Sequence, residues 1–346
     1  MKKFALITGL LSGFLFGIAT PLSKMLLDGF NSFQLAGLLY LGAALAMIPF
    51  ILKQGNQIKM LFKPGSKSKT LGIIFFGGFL GPLLLMVGLK TANAASVSIW
   101  LNMELVATAI LGVLVFRDSI DRSTWIGVIL TVVAGVITSF GEGVSGLTSA
   151  LLITAACFCW GVDNHLTALT DGTSPQAVTF VKGMVAGSVN LGIGCLMSNQ
   201  AIQLGGISTA LIVGAFSYGI SIVLYVTSAQ AIGATRGQIL FSTAPLWGVV
   251  LSYLFLQESF QWEHLVSIVL LTIAVILTSI LTHSHLHAHS ATEHIHMHKH
   301  NDGHHNHEHM GNEVLKNTWH SHSHLHDAIT HEHPHFPDLH HRHKHD

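Results

Sequence analysis

Three ionisable side chains stand deep inside long apolar runs of this sequence: Glu104, Asp163 and Lys182. Asn164 and His165 follow Asp163 directly. A charge in the middle of a hydrocarbon layer costs about 2.5–3.5 kcal/mol on insertion scales, so it rarely stands there without a partner or a task. Asp163 and Lys182 are expected to pair across two helices, either to fix packing or as part of a solute site. A buried carboxyl such as Glu104 can take up and release a proton. Glu104 and Lys182 have equal claims to the central role.

Spacing adds neighbours to this group. Ser96, Trp100, Glu104 and Thr108 recur every four residues, and Thr179, Lys182 and Ala186 also fall on one helical face. Polar stripes of this kind are expected to line a cavity. The candidate cavity residues are Glu104, Asp163, Asn164, His165, Lys182, Trp100 and Trp160. On a regular helix Asp163 and His165 point about 200° apart, so both can hold one ion only where the helix unwinds. Thr20-Pro21 is expected to kink the first helix, and a matching break is expected near His165.

A second chemistry sits at the C-terminal end. Of the 25 histidines, 23 lie between 283 and 346. His-x-His spacing lets neighbouring imidazoles converge on one ion in an extended chain, and neutral imidazole suits zinc, nickel, cobalt and copper. The candidate metal ligands are His283, His285, His287, His289, His294, His296, His298, His300, His304, His305, His307, His309, His320, His322, His324 and His326. They form many weak, interchangeable sites rather than one shaped site. The tail lacks core formers and a helical apolar period, which predicts disorder. It carries four Lys or Arg against eight Asp or Glu, so protonation near pH ~6.5 would make it strongly positive. His331-Glu332-His333-Pro334-His335 matches a zinc-protease string, but that motif needs a helix and Pro334 stands inside it.

The elements that must position these residues are membrane helices. The chain has 346 residues, 50% hydrophobic and 10% charged, against about 25% charged in soluble domains. Lys and Arg balance Asp and Glu, 17 to 17, so no basic surplus exists for nucleic acid. Ten apolar runs are long enough to span a bilayer: roughly 4–27, 32–52, 70–90, 95–116, 123–140, 147–169, 175–198, 205–229, 233–256 and 263–282. The runs do not alternate, which excludes a barrel. Cys157, Cys159 and Cys195 fall inside them and read as small packing residues. Gly9, Gly13 and Gly17, like Gly183 and Gly187, have the spacing of close helix packing.

Orientation follows from Lys and Arg. With a cytoplasmic N-terminus, the inner segments hold Lys2, Lys3, Lys53, Lys59, Lys63, Lys67, Lys69, Arg117, Arg122 and Arg236. The outer ends hold only Lys24 and Lys90. Both termini are then expected in the cytoplasm of a bacterial inner-membrane protein.

A shift of about 140 residues superimposes two patterns. The stretch at 92–120 falls on the stretch from 231, with Ala94 on Ala234 and Asp118 on Glu258. "SFQ" at 32–34 meets "SPQ" at 174–176. Five is an odd number of spans, so the second copy enters from the opposite side. The expected fold is an all-α integral membrane protein, ten transmembrane helices as two inverted five-helix repeats with a disordered tail. The expected boundaries are 1–142, 143–282 and 283–346.

With "GFLFGIATPLSKMLL", "WLNMELVATAILGVLVFRDSI" and "WIGVILTVVAGVI" in place, residues 4–282 resemble the EamA family of the drug/metabolite transporter superfamily. "CFCWGVDNHLTAL" with "VKGMVAG" resembles an uncharacterised branch that reads W-G-x-D-N-N-L-T-R then K-G; here His165 replaces the second Asn and Ala168 the Arg. The resemblance implies efflux or uptake of a small solute in a lipid bilayer.

The leading expectation is a secondary carrier with alternating access. The chain has no P-loop, so it is not expected to hydrolyse ATP. Its apolar core offers no nucleophile or metal constellation, so no enzyme is expected and no cofactor is required. The alternatives are a divalent nickel, cobalt or zinc exporter fed by the tail, and a membrane-anchored metal store or sensor. A homodimer is a further expectation.

Overall fold

The computed structural model describes all residues except 1, 53–56, 117–121, 171–172, 199–203, 233–239, 281–283, 290–291, 299–319, 327–328 and 335–346. His283, His300, His304, His305, His307 and His309 therefore lie outside the described residues, as does Asp118.

Among the described residues, eight helices are long and apolar enough to cross a membrane: α1 (Leu6–Leu26), α2 (Ser32–Ile51), α3 (Lys67–Thr91), α4 (Ala94–Val115), α5 (Trp125–Val144), α6 (Gly146–Thr167), α7 (Pro175–Met197) and α8 (Gly205–Tyr225). Two shorter apolar helices follow, α9 (Ala244–Leu256) and α10 (Trp262–Leu277). The protein is thus an all-α membrane protein, as its apolar runs require. Large apolar side chains such as Val133, Leu151, Val189 and Leu254 are exposed on its outer surface, which suits lipid rather than water.

Local chemistry starts the helices. Asn31 and Gln34 form a reciprocal capping box at the head of α2. Ser174 accepts from the Ala177 N–H at the head of α7, where Pro175 takes the first turn. The repeated "SFQ" and "SPQ" are therefore start signals. At the other end of α3, the Lys24 ammonium donates to the carbonyls of Leu89 and Ala92 at 2.7 and 2.8 Å, satisfying acceptors that a helix end leaves open.

Between α5 and α6 the chain turns at Gly143, whose φ of 67° and ψ of −156° lie in a region open essentially to glycine alone. The first helix divides at Ile18, into Lys2–Gly17 and Ala19–Leu26. Pro21 has no N–H for the Gly17 carbonyl, and the kink expected from Thr20-Pro21 sits one turn before it. The matching break expected near His165 does not form: the helix runs on through Ala168. No proline stands in α6, and the His165 ring instead bonds the Gly161 carbonyl at 2.8 Å.

Irregular backbone appears elsewhere, at related places in the two halves. Ile73–Leu80 in α3 and Gly214–Ile220 in α8 are π-helical. α4 breaks at Leu101-Asn102, and a turn at Ser242-Thr243 precedes α9. A shift of about 140 residues brings each pair within a residue or two of register.

Close packing uses the small residues. An added Cβ on Gly9, Gly13 or Gly17 would meet Leu240, Thr243 or Ala244, and one on Gly187 would stand 3.0 Å from the Gly37 carbonyl oxygen and 2.9 Å from the Leu41 nitrogen. In the tail, the described segments are extended. β1 (Ser284–His289) pairs antiparallel with β4 (Ile329–Pro334), and β2 (Thr292–His298) with β3 (His320–His326). Histidine at every second position has the period of a strand.

The Gly187 contact is with backbone, which cannot swing away. Gly187→Leu is expected to destabilise the α2–α7 pair by about 1–3 kcal/mol, the usual range for overpacking, read as a lower thermal midpoint in detergent. A midpoint equal to the parent's would show that α2 and α7 do not meet there.

Candidate functional site

Asp163 on α6 and Lys182 on α7 form a salt bridge, Oδ2 to Nζ 2.6 Å. Both are largely withdrawn from the surface, at 6% and 13% side-chain exposure. Thr167, one turn along α6, places its hydroxyl 3.4 Å from the other carboxylate oxygen. The expected pairing across these two helices is formed.

The π-helical segment of α3 makes room for the pair. A Cβ on Gly77 would overlap the Asp163 carboxylate, and one on Gly78 would stand 2.7 Å from the Lys182 side chain. Widening a helix to the π form releases carbonyls from the regular ladder. Side chains from three helices take them up. Tyr40 on α2 donates to the Gly77 carbonyl at 2.7 Å and Trp160 on α6 reaches it at 3.3 Å. Asn190 on α7 reaches the carbonyls of Gly78 and Phe79 at 3.4 and 3.3 Å. The charge pair and the irregular backbone thus share one set of partners.

Glu104 stands beside them on α4, two residues after the helix break, half-buried and accepting from the Asn164 amide at 2.8 Å. Asn164 itself is exposed. The charges of Asp163 and Lys182 both act on Glu104. At the break, the Cys157 thiol lies 3.8 and 3.6 Å from the carbonyls of Trp100 and Leu101, a weak donor against freed acceptors. Cys157, Cys159 and Cys195 are free thiols, two buried and one exposed.

Across the bundle, aromatic rings form a connected series. Tyr40 lies 5.7 Å from Tyr218 on α8, centroid to centroid, and Tyr218 lies 5.6 Å from Phe16 on α1. Phe16 and Tyr225 both contact Phe241, at 5.2 and 5.0 Å. Charge gathers on α4, α6 and α7 and aromatic surface on α1, α2 and α8.

The other expected residues divide. Trp160 belongs with the pair through Gly77. Trp100 is 1% exposed and donates to the Gly135 carbonyl of α5 at 3.1 Å, so its indole holds α4 against α5. His165 turns back to its own helix. The face expected to run Ser96–Trp100–Glu104 is split by the break at Leu101-Asn102: Ser96 meets Glu142 and His264, while Glu104 meets Asn164. Sequence reasoning missed Gly77, Gly78, Tyr40 and Asn190. The adjacent glycines inside a continuous apolar run were the available signal. Among the described residues, no group of three or more His, Cys, Asp or Glu side chains converges as a metal site.

Removing one member of a buried pair strands a charge, at about 3–5 kcal/mol, whereas removing both is often near neutral. Asp163→Asn and Lys182→Met are each expected to lower stability strongly, with the double variant recovering most of it. Additive losses in the double-mutant cycle would show that the two groups do not interact.

Known proteins place this arrangement. The EamA-like transporter family matches twice, over residues 3–140 and 147–280. An uncharacterised transporter of Methanothermobacter thermautotrophicus is 27% identical over 284 residues, covering 76% of this chain and 82% of its own. The uncharacterised transporter YyaM of Bacillus subtilis is 25% identical over 228 residues, covering 62% and 73%. One crystal structure superposes with a TM-score of 0.59 at 14% identity, over 80% of this chain and 96% of that one, a likeness of fold alone. With both halves matched, the chain belongs to the EamA-like transporter family.

Proposed function

We propose that this membrane transporter is a secondary carrier for a small organic solute, working by alternating access with Glu104 as its coupling group. The observation that carries this reading is the meeting of Glu104, Asn164, Asp163 and Lys182 beside irregular backbone in α3 and α4. Carriers build sites where helices are discontinuous, because freed backbone groups and charged side chains can then face the solute together. The pair of opposite charges suits a solute that carries both signs. A divalent metal is less well served, since Lys182 already holds the Asp163 carboxylate and repels cations.

The Lys and Arg distribution supports a cytoplasmic N-terminus and tail in a bacterial inner membrane. The tail is read as a binder of divalent transition metals that buffers or regulates rather than delivers substrate. Alternation supports this: the register sets His294, His296 and His298 opposite His324, His322 and His320, and alternate positions of a ladder share a face. Efflux as the direction and a homodimer as the assembly belong to the same proposal.

Two measurements test it. Glu104→Gln is expected to abolish gradient-driven uptake of amino acids or other labelled organic solutes into inverted vesicles while the protein stays folded; full flux would remove Glu104 as the coupling group. Deleting 283–346 is expected to leave that flux intact and to lower bound zinc or nickel. Unchanged metal content would remove the tail as the ligand.

A further inference from the structure

A second polar cluster joins α4, α5, α9 and α10, separate from the Asp163–Lys182 pair. The Ser96 hydroxyl donates a short hydrogen bond to Glu142 Oε1 and lies 2.7 Å from His264 Nε2. The other ring nitrogen, Nδ1, lies 2.6 Å from the Tyr253 hydroxyl. Asn93 Nδ2 donates to the same Glu142 oxygen at 2.8 Å. Ser96 is fully buried and His264 is 1% exposed. Glu142 enters the cluster because the chain reverses at Gly143, directly after it.

The hydrogens in this chain can be counted. Ser96 has one, and gives it to Glu142. Its oxygen must then accept, so His264 carries hydrogen on Nε2. Nδ1 of the neutral ring is left to accept from Tyr253. Every bond is filled, and the cluster carries one negative charge. One added proton fits in two ways. His264 can become imidazolium, with Tyr253 turning to accept. Alternatively Glu142 can become a carboxylic acid that donates to Ser96, Ser96 then donates to Nε2, and Nδ1–H donates to Tyr253. The two forms differ by one proton handed across the Ser96 oxygen, and neither breaks a contact.

We propose that Ser96, Glu142, His264 and Tyr253 form a binding site for a single exchangeable proton on the seam between the two five-helix halves. Sequence placement supports the seam: Ser96 lies in the first matched stretch, 3–140, Tyr253 and His264 lie in the second, 147–280, and Glu142 stands in the junction between them. The charged groups facing the cluster are Lys24 from α1, Glu258 from the α9–α10 turn and Glu263 at the head of α10, and Asp28 in turn faces Lys24. Lys90, at the end of α3, adjoins the Lys24 ammonium through its carbonyl. Glu258 is already engaged, accepting from the N–H groups of Ala94 and Ala95 at 2.6 and 3.0 Å. Lys24 is held by backbone carbonyls. The site therefore takes or releases its proton while its neighbours stay fixed. Its use in transport rests on the carrier reading, whereas proton binding itself does not.

The test is infrared difference spectroscopy of the full-length protein in lipid bilayers, titrated between about pH 4 and 9. Subtracting Glu142→Gln from the parent isolates the Glu142 carboxyl bands, and subtracting His264→Gln isolates those of the His264 ring. A shared proton predicts that His264→Gln and Ser96→Ala each shift the midpoint of Glu142 protonation by a factor on the order of ten or more in proton affinity, as for sites coupled by a pK unit. Tyr253→Phe, half-buried and gentler, is expected to shift it less but in a resolvable way. The amide I band reports that each variant is folded. A Glu142 midpoint unchanged in the folded variants, or no titration at either residue across the range, overturns the proposal. No solute is needed, so a failure here is distinct from a failure of the Glu104→Gln flux experiment.

Discussion

A bare charge cannot rest inside a hydrocarbon layer, and the Asp163–Lys182 pair is how this bundle meets that constraint. Neutralisation alone is not enough, because desolvating two ions costs several kcal/mol each even when they meet. The surroundings must supply further polar partners and exclude empty space. Two adjacent glycines let the backbone of α3 come against the pair, and the π-helical geometry there exposes carbonyls that Tyr40, Trp160 and Asn190 satisfy. The pair, the glycines and the three donors depend on one another.

The irregular segments recur in both halves, at Ile73–Leu80 and Gly214–Ile220 and at the breaks in and before α4 and α9. Packed helices move most readily where the hydrogen-bond ladder is already interrupted. Gly9 and Gly13 of α1 lie against the side chains of Leu240 and Thr243, and Gly17 against the Ala244 carbonyl, the close approach that small residues allow. The central charges and the Ser96–Glu142–His264–Tyr253 cluster stand at different levels of α4, on opposite sides of its break. Rotation at Leu101-Asn102 would therefore be felt at both.

Much of the fold was legible because the membrane dictates it. Spans of fixed length, an odd number per copy and the "SFQ" and "SPQ" start signals all follow from one chain. So did the Asp163–Lys182 pair, since two opposite charges in neighbouring apolar helices have few other partners. The site's finer form was not legible. A π-turn has no local signature beyond Gly77-Gly78; it forms because distant donors take up its carbonyls. The break expected near His165 rested on analogy with Pro21, and α6 has no proline to impose it. A regular α4 would put Ser96 on one face with Glu104, and the break turns it towards Glu142 and His264. Neither of those residues stands out in sequence: one ends a helix and the other begins one.

The central claim is that the ionisable residues face a watery pathway rather than lipid. Asn164, exposed and bonded to Glu104, is the position to probe. With Cys157, Cys159 and Cys195 replaced, Asn164→Cys in sealed vesicles should react with a charged, membrane-impermeant thiol reagent applied from one side. Labelling only by lipid-soluble reagents, with the charged one inert from both sides, would put this surface against the bilayer and contradict the account.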